Sequence, residues 1–227
     1  MSLEIITIGD SNSADIELLW FHGYGANNWG FEPFIKVLNL NLDGRLHVIM
    51  PNAPVQDGKR SWYPLPSDVD GVIVEDDDGL LKSKASLWRK LKEYLNNDKR
   101  LYIGGFSQGA ALSLSLGLSD DISCEGIVAI SGYIPSASKL EIKNTKKEIY
   151  VSHGKNDTTI SIDTHNKSLN FLRENGCSFT QFTDNCGHTI SKPMIENLTN
   201  WVDEKLERAE YRPFKWITVS RDVSALL

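Results

Sequence analysis

The stretch Leu101-Tyr-Ile-Gly-Gly-Phe-Ser-Gln-Gly-Ala-Ala-Leu112 constrains the rest of the chain more than any other. Leu101 to Ile103 is a short apolar run of β-prone residues, and Gly109 to Leu116 reads as the start of a helix built from small residues. Between them, Gly105-Phe106-Ser107-Gln108-Gly109 is a G-x-S-x-G pentapeptide. Strand, tight turn and helix in that order form a nucleophile elbow, in which the serine sits at strained backbone angles with its hydroxyl pointing out of the sheet. The flanking glycines let neighbouring backbone pass where a side chain would stand. The helix that follows brings unsatisfied N–H groups, and so partial positive charge, to the serine oxygen. Turns of this kind also occur for packing alone, so the remaining chain has to supply partners for the serine.

Apolar runs and helical patterns alternate along the chain, which predicts an α/β fold with a mostly parallel central sheet and helices on both faces. Leu3 to Ile8 reads as an edge strand. Ile16 to Phe21, Leu46 to Met50, Gly126 to Ile130, Glu148 to Ser152 and Ser178 to Phe182 read as inner strands. Helices are predicted over Trp29 to Leu40, Gly79 to Asn96, Ile162 to Asn175 and Ser191 to Ala209. In the second of these, Leu81, Ala85, Trp88, Leu91 and Leu95 form the expected buried face, and Lys82, Lys84, Arg89, Lys90 and Lys92 the solvated one. Residues 1–209 are expected to make one domain and 210–227 a tail. The tail carries Tyr211, Phe214, Trp216 and Ile217, which would have to pack on the domain or on a second subunit. A homodimer is thus one expectation.

The net charge of −6 on 227 residues leaves no basic patch for nucleic acid or an anionic membrane. No run approaches the roughly 18 apolar residues of a membrane span, and the first residues lack the pattern of a secretory signal. Cys124, Cys177 and Cys186 are odd in number and scattered, which points to a reducing compartment and against a metal site. The cytoplasm is the expected location.

A serine hydroxyl needs a base to take its proton and an acid to orient that base. Strand Glu148 to Ser152 runs into Ser152-His153-Gly154-Lys155-Asn156-Asp157, and the last strand into Asn185-Cys186-Gly187-His188. Both loops belong beyond the carboxyl ends of strands, where sites of open α/β sheets lie. Asp157 and His188 are therefore the candidate acid and base, in the chain order Ser, Asp, His of the α/β-hydrolases. The rivals have other tasks. His47 lies within a strand and His165 within a helix, and His22 and His153 follow strands directly, which suits hydrogen bonds to loop backbone. Asp163 opens a helix, where a carboxylate is favoured anyway, and Asp184 stands only four residues before His188. An acyl-transfer intermediate also requires oxyanion donors. The backbone N–H groups of Gln108 and of Tyr24, in Phe21-His22-Gly23-Tyr24-Gly25, are the candidates. Trp62, Tyr63 and Leu65, in a loop stiffened by Pro64 and Pro66, are the expected wall for an apolar acyl group.

These segments, with Pro51-Asn52-Ala53-Pro54, Ser61-Trp62-Tyr63 and Glu75-Asp76-Asp77-Asp78-Gly79-Leu80, resemble in residue and in order the phospholipase/carboxylesterase family of α/β-hydrolases, which includes acyl-protein thioesterases. The likeness spans roughly residues 15 to 208. It implies hydrolysis of carboxylic esters or thioesters through an acyl-enzyme, with Ser107, Asp157 and His188 as triad, Tyr24 and Gln108 as oxyanion donors, and no metal or organic cofactor. The implied substrates are small-molecule or acyl-chain esters, with acylated proteins among the candidates. The family often has leucine at the place of Tyr24 and aspartate at that of Ala26, and the tail has no counterpart in it. Two other classes fit the same residues: a related hydrolase acting on cyclic esters or peptides, and a non-catalytic binding protein on this scaffold. Enzymes of the dienelactone type usually carry cysteine where Ser107 stands, which disfavours the first.

Overall fold

The computed structural model describes residues 3–70, 72–96, 98–119 and 121–210. The expected tail, beyond Glu210, lies outside them. In chain order the elements are β1 (Ile5–Ile8), β2 (Ile16–Phe21), α1 (Glu32–Asn41), β3 (Leu46–Pro51), the hairpins β4 (Val55–Gln56) with β5 (Lys59–Arg60) and β6 (Ser67–Val69) with β7 (Val72–Val74), and α2 (Asp77–Leu91). Then come β8 (Arg100–Phe106), α3 (Gln108–Leu118), β9 (Gly126–Ile130), β10 (Glu148–Gly154), α4 (Ile162–Glu174), β11 (Phe179–Asp184) and α5 (Lys192–Glu210).

Seven strands form the main sheet in the spatial order β1-β3-β2-β8-β9-β10-β11, with β1 antiparallel to β3 and every other pairing parallel. All six residues of β2 are buried, as an inner strand covered on both faces requires. One face packs on α1 and α5 through Ile35, Leu38, Leu198 and Val202. The other packs on α2, α3 and α4 through Leu87, Leu114 and Leu172. Because the six strands from β3 to β11 in that order run parallel, their carboxyl ends lie along one rim, and the loops there carry the candidate residues.

Two expectations need correction. The run from Ser178 to Phe182 was expected inside the sheet, but β11 is its far edge. Its Thr180 and Gln181 are exposed, which an inner strand could not tolerate. In α2 the buried stripe is Leu80, Lys84, Leu87 and Leu91, while Leu81 and Ala85 face water. Adjacent Leu80 and Leu81 offered two helical phases about 100° apart. The inward phase is possible because the Lys84 ammonium, expected in solvent, reaches Asp121 Oδ2 at 2.7 Å, Ser119 Oγ at 2.9 Å and Ser115 O at 3.3 Å. Its hydrocarbon stem then covers core while the charge stays paired.

Candidate active site

Ser107 stands between β8 and α3 at φ 56°, ψ −119°. An L-residue held there costs about 1–3 kcal/mol and persists only where its surroundings enforce it. Enforcement comes from the Ser107 N–H, which donates to Ile130 O of β9 at 2.9 Å, and from Ala111 N–H, which donates back to Ser107 O at 3.0 Å. Both glycines of the pentapeptide are sterically required. A Cβ on Gly105 would stand 2.5 Å from the Gly109 carbonyl carbon, and one on Gly109 would stand 2.1 Å from Phe21 O. The Ser107 turn is thereby wedged between β2 and β9.

The loops after β10 and β11 are joined to each other before they meet the serine. Lys155 N–H donates to Asp184 O at 2.8 Å and Asn156 N–H to Cys186 O at 3.0 Å. Gly154 permits this approach, since a Cβ on it would stand 2.3 Å from Gly187 O. His188 then bridges the two other candidates. Its Nδ1–H donates to Asp157 Oδ2 at 2.7 Å, and its Nε2 lies 2.9 Å from Ser107 Oγ, placed to accept the hydroxyl proton. The imidazole rests on Phe106, with ring centroids 4.8 Å apart. Asp157 Oδ1 accepts the N–H groups of Thr159 and Ile160 at 2.8 and 2.9 Å. Burial would raise the Asp157 carboxyl, but the His188 bond and these two amides outweigh it and hold its pKa below the usual value. The carboxylate is thus kept ionised beside the imidazole.

Gln108 is the first residue of α3, where an N–H has no acceptor within the helix. In the loop after β2, Gly25 N–H is committed to Arg60 O and Ala26 N–H to Gly23 O. Tyr24, between Gly23 and Gly25, is 40 % exposed. Gly23 lies against the Ser107 turn: a Cβ on it would stand 3.4 Å from that of Ser107. His22 stiffens this loop from below, with Nδ1–H donating to Gly23 O at 2.7 Å and Nε2 accepting Ala53 N–H at 3.0 Å. That is the backbone-holding task expected of it. Burial lowers its pKa to about 4, so the ring is neutral near pH 7.

The expected substrate wall is divided. Leu65 is 45 % exposed, whereas Trp62 and Tyr63 are each 3 % exposed and belong to the core. Trp62 Nε1–H donates to His22 O at 2.7 Å and Tyr63 Oη lies 3.3 Å from Tyr133 Oη. Sequence reasoning took Gln108 for a backbone donor alone and missed its side chain, which is buried and bonded to the Ser61–Tyr63 loop. It also left His153 without a defined partner. Beside the Asp157 turn opens a cleft of about 620 Å³, lined by Glu75, Tyr133, Ile134, Thr159, Thr164 and Lys167 among others. Burial pushes the Glu75 carboxyl up, although Ser136 N–H donates to it at 2.8 Å. Pro66 and Glu75, which both line this cleft, flank the hairpin of β6 with β7.

The phospholipase/carboxylesterase family model matches residues 4–206. Acyl-protein thioesterase 1 of Yarrowia lipolytica is 28 % identical over 212 residues, covering 84 % of this chain and 92 % of that protein. Carboxylesterase SOBER1 of Arabidopsis thaliana is 26 % identical over 211 residues, with 84 % and 90 % covered. Among solved structures, acyl-protein thioesterase 2 of Zea mays superposes with a TM-score of 0.76 at 21 % identity, over 89 % of this chain and 99 % of that one, a likeness of fold. With the mostly parallel sheet and a family match that runs from β1 into α5, the chain belongs to the phospholipase/carboxylesterase family of α/β-hydrolases.

Proposed function

We propose that Ser107, His188 and Asp157 carry the hydrolysis of carboxylic esters or thioesters that goes with this family. The observation that carries the reading is the single imidazole between Asp157 Oδ2, at 2.7 Å, and Ser107 Oγ, at 2.9 Å. His188 Nε2 takes the Ser107 proton as Oγ attacks the acyl carbon, and the imidazolium that forms is stabilised by the ionised Asp157. The same proton then passes to the leaving alcohol or thiol, which departs and leaves an acyl-serine. Water, deprotonated by His188, attacks that ester and regenerates Ser107. The N–H groups of Gln108 and Tyr24 are the proposed donors to the oxyanion of both tetrahedral intermediates.

Trp62 and Tyr63 serve in this reading as the buried floor of the site, with Leu65 as its accessible apolar surface. Acyl groups extend into the cleft between Tyr133 and Thr164. Acylated proteins are among the proposed substrates, as the names of the thioesterase relatives suggest, and the cytoplasm is the proposed compartment. No helix among the described residues is long and apolar enough to cross a membrane.

The test is a turnover panel of oxygen esters and thioesters over short and long acyl groups, run on the wild type and on Ser107→Ala. Turnover that disappears with the hydroxyl supports the reading. Turnover that survives in Ser107→Ala refutes it.

A further inference from the structure

Asp157 is met by imidazoles from two sides, and only one of them belongs to the relay. While His188 Nδ1–H donates to Oδ2 at 2.7 Å, His153 Nε2 lies 3.5 Å from the same oxygen. The side chains of His153 and Asp157 are both fully buried. His153 Nε2 also lies 2.8 Å from Ile160 O, and because a carbonyl can only accept, the ring proton is on Nε2. Ile160 is therefore gripped at both ends, its N–H by Asp157 Oδ1 and its carbonyl by His153. His153, Ile160 and Asp157 form a closed ring of contacts that sets the turn after β10.

The plane of the His153 ring is set by His165 of α4, stacked on it with centroids 4.5 Å apart and planes 25° from parallel. His153 Nδ1 and His165 Nε2 are buried and have no hydrogen-bond partner. A buried nitrogen left without a partner is costly, and a hydrocarbon side chain would fill the space without that cost. What the imidazole of His153 supplies that a hydrocarbon cannot is its Nε2–H.

We propose that His153 is a positioning residue for the acyl transfer: its Nε2–H fixes Ile160 and faces Asp157, so that Oδ2 stays aimed at His188. This rests on the reading of Ser107, His188 and Asp157 as the relay. The test compares kcat, KM and the pH profile of ester hydrolysis for the wild type, His153→Leu and His153→Gln, with an unfolding curve for each. His153→Leu removes the donor and is expected to lower kcat about 10- to 100-fold, with KM changed by no more than about twofold. Its acid limb moves to higher pH, because the Asp157 carboxylate, no longer faced by that N–H, favours a proton held on the imidazole bonded to it more strongly. His153→Gln places a side-chain N–H where Nε2–H stands, and recovers most of the kcat and the wild-type acid limb.

A folded His153→Leu with wild-type kcat and acid limb overturns the proposal, as does a folded His153→Gln as slow as the leucine variant. Should only the glutamine variant fold, it decides alone: kcat near wild type with an unmoved acid limb supports the donor role, and a loss of about tenfold or more contradicts it. If neither folds, ring packing is what the position requires and the proposal falls. A wild type with no Ser107-dependent turnover would refute the relay instead, a separate result.

Discussion

The side chain of Gln108 holds the backbone of Trp62: its Oε1 accepts the Trp62 N–H at 3.0 Å. Its Nε2 donates to Ser61 Oγ at 3.0 Å and to Tyr63 O at 2.8 Å. Its side chain thus ties the elbow to the Ser61–Tyr63 loop, while in the proposed mechanism its backbone N–H is offered to the oxyanion, so the two duties are separable.

Gln108→Ala separates those duties. It strands the buried Trp62 N–H, so unfolding free energy should fall by about 1–3 kcal/mol, read from urea denaturation. The backbone donor remains, so turnover per folded molecule should fall by at most about tenfold, against the 10²–10³ typical of losing such a donor. A folded Gln108→Ala as inactive as Ser107→Ala would show that the side chain, not the backbone, acts on the reaction.

Stability should decline with acid well above the carboxylate range. Burial lowers His22 to about 4 and, together with the nearby His153, lowers His165 to about 3. Unfolded histidines titrate near 6.5, so below that pH the unfolded chain binds more protons than the folded one and folding loses ground. The loss begins as pH falls through 6.5, saturates near 4 for His22 and near 3 for His165, and is on the order of 3 kcal/mol for His22 and 5 kcal/mol for His165. Asp157, depressed below its unfolded value, withdraws its own contribution only at the acid end, as pH drops through its folded pKa. Urea unfolding at successive pH values reads the slope. His165→Phe, which keeps an aromatic ring against His153, should flatten it, and an unchanged slope would place the acid sensitivity elsewhere.

The cleft beside the Asp157 turn can be tested by filling it. Thr164 lines it from α4, a rigid element. Thr164→Phe should spare acetyl esters and reduce turnover of long-chain esters by about tenfold or more, on the scale of a few lost methylene contacts. Equal effects on short and long acyl groups would place the acyl chain somewhere else.

What the sequence made legible was whatever local chemistry dictates. The elbow was readable because backbone passes 2.1 to 2.6 Å from where a Cβ on Gly105 or Gly109 would stand, and the candidate triad because β10 and β11 each end in a loop carrying one of its members. The phase of α2 was not readable, since the inward turn of Lys84 depends on Asp121 and on carbonyl and hydroxyl groups at the end of α3. Trp62 as core and the side-chain work of Gln108 were hidden for the same reason. Their contacts span 40 and 46 positions of sequence and follow no period.

The central claim is that Ser107 is activated by His188 and Asp157, and a fluorophosphonate probe tests it most directly, because only an activated serine reacts with it fast. Labelling is followed by intact mass and the modified peptide mapped, for the wild type, Ser107→Ala, His188→Ala and Asp157→Ala. The account predicts rapid single labelling of the wild type on Ser107, none in Ser107→Ala, and severe slowing in the other two variants with the fold retained. Rapid labelling at another residue, or an undiminished rate on Ser107 without His188, would contradict it.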